Sequence, residues 1–127
     1  MDYIDLNGLD EPRTRWVSFG GVEFLLKYAS PRESDKFRRW LLSKDIMRHK
    51  DGTIEIRAGR EMEFYRAFAT QYVLDWRGQI RPEGTAYSAD GMAKILAGRG
   101  DVLRAIQEAI SEDEAFFAPN GSAPTGS

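Results

Sequence analysis

The chain has 127 residues, carries 18 Lys and Arg side chains against 20 Asp and Glu for a net charge of −2, and contains no cysteine. Its length suits a single domain with its own core, and the lack of thiols excludes disulfides, thiolate catalysis and cysteine-based zinc sites. The nearly balanced charge predicts no strong long-range attraction to nucleic acid or membrane. Because neither a signal-peptide pattern nor an apolar run of ~18 residues is present, we expect a soluble intracellular protein.

The two ends of the chain are predicted to be flexible. Residues 1–13 are polar and contain the turn formers Asn7-Gly8 and Glu11-Pro12, which indicate a loose leader. Residues 118–127 carry no large apolar side chain, and such a segment buries too little apolar surface to offset the loss of chain entropy. We therefore predict one globular domain over residues 14–117, followed by a disordered tail.

The first predicted element is a β-hairpin. Aromatic and β-branched residues flank Gly20-Gly21, and the freedom of glycine to adopt positive φ suits a tight turn. One side of the second strand is apolar and consists of Val22, Phe24, Leu26 and Tyr28. A lone hairpin is marginally stable in water, so this apolar side is expected to pack on helices.

A helix is predicted to begin at Ser30-Pro31-Arg32-Glu33. Serine suits the N-cap, proline suits the first helical position, and glutamate two residues later can complete a capping box. The residues that this part of the chain is expected to place in the core are Phe37, Trp40, Leu41 and Met47. After the turn at Asp51-Gly52, residues 53–57 are predicted to form a short strand.

The longest apolar pattern covers residues 62–76, which are predicted to form one helix. Its apolar face collects side chains three or four positions apart, namely Met62, Tyr65, Ala69, Tyr72, Val73 and Trp76. Burying such a side chain stabilises the fold by roughly 1.5–3 kcal/mol, so this helix is expected to seed the core. Gly78 is predicted to end it as a C-terminal cap.

Two shorter helices are predicted to follow. Ser88 is expected to cap the first, which ends at Gly98-Arg99-Gly100, and Asp101 is expected to cap the second. Their apolar residues are Met92, Ile95, Leu96, Val102, Leu103, Ile106, Ala109 and Ile110. We expect an antiparallel pair packed on the long helix. The predicted fold class is therefore α+β, mostly helical, with an N-terminal β-hairpin packed on about four helices.

The sequence indicates no catalytic, cofactor or metal site. The single histidine, His49, lies beside a turn among cations and is expected to be a solvated loop residue, because no His-rich spacing supplies further ligands. The carboxylates lie near predicted helix ends without an accompanying nucleophile or phosphate-binding loop. We therefore expect a non-enzymatic protein without a cofactor or a metal ion.

Residues 38–50 form a basic segment that leaves two interpretations open. The segment combines an aromatic side chain, Trp40, with the cations Arg38, Arg39, Lys44, Arg48 and Lys50. It could contact phosphates and stack a base, but a solvated basic face with Trp40 in the core is the favoured interpretation. Residues 88–110 could similarly form a helix-turn-helix, but the outward side chains of the last helix are nearly neutral, which favours a structural helix pair.

Phe116 and Phe117 are adjacent aromatic residues that follow the acidic stretch Glu112-Asp113-Glu114. One interpretation is that they fold back on the core. The other is that they form an exposed aromatic anchor for a partner protein. Both interpretations stay open.

A family resemblance appears in the second half of the chain. An aromatic helix ends in Asp75-Trp76-Arg77-Gly78, a short loop follows, Tyr87-Ser88 opens a helix, and a final helix closes the pattern. In this order the chain resembles the tail assembly chaperones of long-tailed (siphophage-type) bacteriophages and prophages. The resemblance covers residues 16–117, and Asp75-Trp76-Arg77-Gly78 is its most distinctive part.

The resemblance implies a small non-enzymatic protein that binds the long, hydrophobic tape-measure protein. Such a chaperone keeps the tape-measure protein soluble while tail tube proteins polymerise around it in the host cytoplasm, and it is absent from the mature virion. It implies no contact with membrane, and we expect self-association into a homo-oligomer. Family members often have a longer form made by a ribosomal frameshift, which would join this chain near Ala118.

The family defines no sharp set of binding residues, so the candidates come from the aromatic side chains. Phe116 and Phe117 are the first two, and Trp76 is a third if it is exposed beside them. The alternative function is a small nucleic-acid-associated phage or prophage protein that uses residues 38–50.

Overall fold

The computed structural model describes residues 13–112, which form four helices and two small antiparallel sheets. In chain order the elements are β1 (Thr14–Phe19), β2 (Val22–Lys27), α1 (Pro31–Ser43), β3 (Met47–Lys50), β4 (Thr53–Ile56), α2 (Glu61–Tyr72), β5 (Val73–Gly78), α3 (Ala89–Gly98) and α4 (Gly100–Ile110). The larger sheet has the order β1-β2-β5, and β3 and β4 form the smaller one. The expected mixed α+β class is confirmed.

The N-terminal hairpin is confirmed. Strands β1 and β2 pair in antiparallel register from Thr14↔Lys27 to Phe19↔Val22, and Gly20 turns the chain with a φ of +66°. Phe24 and Leu26 are buried on the predicted apolar side. The helices cover this side of the sheet, since α2 and α4 both contact β2.

Helix α1 begins as predicted, because the Ser30 hydroxyl oxygen accepts a hydrogen bond from the Glu33 backbone N–H at 3.1 Å and proline occupies the first turn. Leu41 is its one fully buried residue. The core prediction for Trp40 is wrong, because its side chain is 45% exposed. The indole ring stacks on Phe37 of the same helix, and the backbones of α1 and α2 approach each other at few points.

A second hairpin follows α1. The predicted strand at residues 53–57 is confirmed as β4, but its partner β3 was not predicted. Met47 lies in β3 instead of the preceding helix, and His49 is an exposed strand residue paired with Ile54 instead of a loop residue. Asp51 and Gly52 make the turn with positive φ, and this tight turn brings the two short segments into register.

The predicted helix over residues 62–76 is wrong in its last turn. Helix α2 ends at Tyr72, and Val73–Gly78 is strand β5, which adds to the free edge of β2. The register shifts between Leu25↔Asp75 and Leu26↔Val73, so Leu74 is an extra residue of a β-bulge. The bulge lets Val73 and Trp76 both face the core. Residues three positions apart, such as Val73 and Trp76, therefore share a face in this bulged strand as they would in a helix.

The prediction that Gly78 caps a helix is wrong, because Gly78 ends strand β5. Its φ is +104°, and a side chain there would collide with the carbonyl oxygen of Gly21. The next residue, Gln79, donates its backbone N–H to the same carbonyl at 3.0 Å. Glycine is therefore required here for a close approach of two backbone segments.

The last two helices lie near their predicted positions. The Ser88 hydroxyl oxygen accepts from the Gly91 backbone N–H at 3.0 Å and caps α3, as expected. Asp101 was predicted to cap α4 but lies inside its first turn. Its carboxylate instead accepts hydrogen bonds from the Arg99 guanidinium at 3.0 and 2.9 Å. This hydrogen bonding lowers the pKa of Asp101 from 3.8 to about 2.

The core lies between the larger sheet and helices α2, α3 and α4. The largest fully buried side chains of the protein are Leu26, Leu41, Val73, Met92, Leu96 and Ile106 among residues 13–112. Helix α3 packs along α2, and Arg66 of α2 forms an ion pair with Asp90 of α3 at 2.5 Å. Among residues 13–112 no helix combines the length and apolarity that crossing a membrane requires.

Candidate functional site

A groove lies between helices α1 and α2, and the last residue of β2 and the residue before β3 also line it. We call it the α1–α2 groove. Its cavity volume is about 740 Å³, within the range of about 300–1,000 Å³ typical of binding pockets. Its lining consists of Lys27, Glu33, Lys36, Phe37, Trp40, Ile46, Glu63, Arg66, Ala67, Thr70 and Gln71.

Two stacked aromatic rings form the apolar wall on the α1 side. The rings of Phe37 and Trp40 lie nearly parallel, with an interplanar angle of 11° and centroids 6.2 Å apart. Tyr72 of α2 meets Phe37 edge to face, with centroids 5.3 Å apart, so Phe37 is fixed from behind while Trp40 is not. Burial raises the pKa of the Tyr72 hydroxyl group.

Trp40 is the exposed anchor of the groove. Three large hydrophobic side chains among residues 13–112 are strongly exposed, namely Trp40, Met62 and Leu74, and of these Trp40 alone lines the groove. Tryptophan is among the side chains most enriched at binding hot spots. The half-exposed indole beside an apolar floor that includes Ile46 and Ala67 can therefore stack against an incoming apolar side chain.

The charged side chains of the groove fall into two groups. On the α2 side Glu63 binds the Arg60 guanidinium at 2.5 Å, and this hydrogen bond lowers the pKa of Glu63, while Arg66 pairs with Asp90. On the opposite side Lys27 and Lys36 form no ion pair within residues 13–112. The lining therefore presents two ammonium groups, those of Lys27 and Lys36, that are available to a ligand.

The basic segment at residues 38–50 has its charges largely paired. Arg38 and Arg39 both contact Asp35, at 3.2 and 3.3 Å. In the second hairpin Arg48 and Lys50 both contact Glu55, at 3.1 and 3.9 Å. The segment is thus divided between α1 and β3, and the two carboxylates Asp35 and Glu55 offset part of its positive charge.

Trp76, which was a candidate for partner contact on the condition that it is exposed, belongs to the core. It is 8% exposed, its indole N–H donates to the Thr85 carbonyl at 3.0 Å, and its ring meets Tyr87 edge to face at 5.0 Å. The condition that made Trp76 a candidate for partner contact, its exposure, is therefore not met. Phe116 and Phe117 lie outside the described residues.

The other residues of the Asp75-Trp76-Arg77-Gly78 pattern also have structural roles. The Arg77 guanidinium lies 4.0 Å from the centroid of the Trp16 ring and donates to Glu23 at 2.8 Å. This hydrogen bond lowers the pKa of Glu23. The pattern thus joins β5 to β2 across the outer face of the sheet, and it holds the loop that leads to α3.

Sequence reasoning identified Trp40 and Phe37 but assigned both to the core, and it did not predict the α1–α2 groove. No local signal pointed to it, because Phe37, Trp40 and Leu41 stand at the spacing of a buried helix face. The α2 side of the groove gave no signal either, since Ala67 and Thr70 are ordinary helix residues.

His49 is exposed at β3. Among residues 13–112 no group of three histidine or carboxylate side chains is arranged to hold a metal ion. Comparison with known proteins gives no match to a family model, to a curated protein or to a solved structure.

Proposed function

We propose that the protein is a non-enzymatic tail assembly chaperone of a long-tailed bacteriophage or prophage, and that it binds the tape-measure protein through the α1–α2 groove. In this role it keeps the hydrophobic tape-measure protein soluble in the host cytoplasm while tail tube proteins polymerise, and it is absent from the mature virion. The observation that carries the proposal is the exposed Trp40 at the wall of an apolar groove.

The groove suits transient masking of an apolar segment. Two helices that stand apart can receive an amphipathic helix from a partner, which is a common mode of peptide recognition. Trp40 supplies a large apolar contact, and its neighbour Phe37 is already held by Tyr72, so Phe37 loses little conformational entropy on binding. A site of this size binds reversibly, as a chaperone that leaves before the tail is complete requires.

The sequence resemblance supports the same proposal from a different part of the chain. The distinctive Asp75-Trp76-Arg77-Gly78 residues have architectural roles in joining β5 to the sheet. We therefore take these residues as a marker of a shared fold, and we assign the contact surface to other residues. The alternative of a nucleic-acid-associated protein receives less support, because the cations of residues 38–50 are divided between α1 and β3 and four of them contact the carboxylates of Asp35 and Glu55.

The proposal is tested by co-expression with overlapping fragments of the tape-measure protein from the same phage or prophage. We expect the wild-type protein to raise the soluble fraction of at least one fragment, and Trp40→Ala to lose most of that effect. Leu74→Ala is the matched control, because Leu74 is 42% exposed but lies outside the groove. If no fragment responds to the wild-type protein, the chaperone function is refuted.

A Trp40→Ala protein that solubilises the fragments as well as wild type does would contradict the groove as the contact surface and leave the chaperone function standing. Binding to arbitrary duplex DNA that weakens steeply with salt would instead favour the nucleic-acid alternative.

A further inference from the structure

The charge of the α1–α2 groove points to the chemistry of its occupant. We propose that the groove selects an amphipathic helix that carries carboxylates beside its apolar stripe, so that apolar side chains contact Trp40 while the carboxylates meet Lys27 and Lys36. This inference rests on the proposed function and specifies which segments of the tape-measure protein are bound.

The length of the groove fits a short piece of helix. On α1 the lining runs from Glu33 to Trp40, and seven helical steps span about 10 Å at a rise of 1.5 Å per residue. About two turns of a bound helix fill that length, and they present apolar side chains at positions i, i+3 or i+4, and i+7. An extended segment would need a sheet edge for its backbone hydrogen bonds, and two helices offer none.

The charge pattern distinguishes one helix from another. The α2 side is internally neutralised, since Glu63 is held by Arg60 and Arg66 by Asp90. The rest of the charged lining consists of Lys27, Lys36 and one carboxylate, Glu33, and these three side chains sum to one positive charge. The protein as a whole has a net charge of −2, which makes this local excess of positive charge a specific feature. A ligand with carboxylates there gains attraction, and one with lysines is repelled.

The test uses two synthetic peptides of about 15 residues, a length at which an isolated helix begins to be populated. Both carry the same leucine stripe at helical spacing, and one has glutamate and the other lysine at the flanking positions. Binding is followed by fluorescence anisotropy of a label on the peptide. Because exposed ion pairs contribute modestly, we expect the full-length protein to bind the acidic peptide ~3- to 10-fold more tightly at low salt. The preference should disappear near ~0.5 M salt.

The variants assign the preference to the two lysines. Lys27→Glu combined with Lys36→Glu should reverse it. Lys94→Glu combined with Arg104→Glu is the matched control, because it changes the net charge equally at exposed positions outside the groove and should keep the preference. Equal binding of both peptides by the wild-type protein overturns the inference, as does a preference that the groove reversal leaves intact.

The same protein and peptides test two other possible occupants of the groove, this chain's own C-terminal segment and a second copy of the chain. If the variant with Phe116→Ala and Phe117→Ala binds the acidic peptide several-fold more tightly than wild type, the occupant is this chain's own C-terminal segment. If sedimentation shows an oligomer that Trp40→Ala dissociates, the occupant is a second copy. Either result overturns the assignment to a partner helix.

The co-expression assay keeps this inference separate from the proposed function. Fragments that stay soluble with both the wild-type protein and the Lys27→Glu/Lys36→Glu variant would refute the charge selection alone. Acidic-peptide binding by a wild-type protein that solubilises no tape-measure fragment would refute the chaperone function alone.

Discussion

Gly91, in the first turn of α3, lies directly against the indole ring of Trp76. A Cβ atom at position 91 would stand 2.9 Å from Cη2 of Trp76 and 3.0 Å from the Ser88 hydroxyl oxygen. Trp76 is buried, and its N–H is held by the Thr85 carbonyl, so the ring has little room to retreat. Because Gly91 has no side chain, the first turn of α3 can pack directly on Trp76 of strand β5.

Gly91→Ala should destabilise the protein by about 1–3 kcal/mol, because overpacking at the tryptophan exceeds the usual gain from replacing glycine in a helix. Gly98→Ala is the matched control in the same helix, since a Cβ there meets nothing within 4 Å. That change should be neutral or stabilise by up to about 1 kcal/mol. Urea denaturation of both variants measures the difference, and equal stabilities would contradict the described packing of α3 on Trp76.

Glycine is required at Gly52 for its backbone conformation alone, and at Gly78 for its backbone conformation and for the lack of space. Both have positive φ, +81° at Gly52 and +104° at Gly78, but only at Gly78 would a Cβ collide with a neighbouring backbone, that of Gly21, whereas nothing lies within 4 Å of Gly52. Gly52→Ala should cost about 1–2 kcal/mol from its conformation alone. Gly78→Ala adds the steric collision and should cost more than about 2 kcal/mol. Thermal unfolding of the two variants gives the comparison, and a smaller loss for Gly78→Ala would show that β5 does not end against the hairpin turn.

Local signals predicted much of the fold. The turn at Gly20-Gly21, the serine caps at Ser30 and Ser88, and the alternation of Phe24 and Leu26 are confirmed. Each of these features depends on a few neighbouring residues, so a short stretch of sequence is enough to predict it. The apolar spacing from Val73 to Trp76 did not distinguish a helix from a strand, because the bulge in β5 places residues three positions apart on one face, as a helix does.

The α1–α2 groove could not be predicted in this way. Whether Trp40 is covered depends on how far α1 stands from α2, and that distance is set by how each helix packs on the sheet and on the second hairpin. The same holds for β5, whose strand conformation depends on the free edge of β2, about fifty residues earlier in the chain. Propensity within one segment does not report such long-range pairing.

Tyr87 links the loop before α3 to the end of α2. Its hydroxyl group donates to the Val73 carbonyl at 2.8 Å, and burial, with a smaller effect of Asp75, raises the pKa of Tyr87 from 10.0 to about 12. Tyr87→Phe removes this hydrogen bond and should cost about 0.5–1.5 kcal/mol at neutral pH.

The pH dependence of that loss follows from the sign of the shift. The folded protein keeps the Tyr87 proton at pH values where the unfolded chain has released it, so the contribution is complete below pH 10.0 and is lost as the pH rises through about 12. The stability difference between wild type and Tyr87→Phe should therefore shrink over that interval. Urea denaturation at several pH values measures it, and a constant difference would contradict the raised pKa.

Truncation of Trp76 should destabilise the protein much more than truncation of Trp40, since one side chain is 8% and the other 45% exposed. Trp76→Ala removes a buried ring and its hydrogen bond to Thr85, and should cost about 3–5 kcal/mol. Trp40→Ala removes only the stacking on Phe37 and should cost about 1 kcal/mol or less. Denaturation followed by far-UV circular dichroism compares the two variants without relying on tryptophan fluorescence. Because the Trp40→Ala protein is expected to remain folded, a loss of tape-measure binding in that variant reports on the contact surface. An equally large loss of stability in both variants would instead place Trp40 in the core.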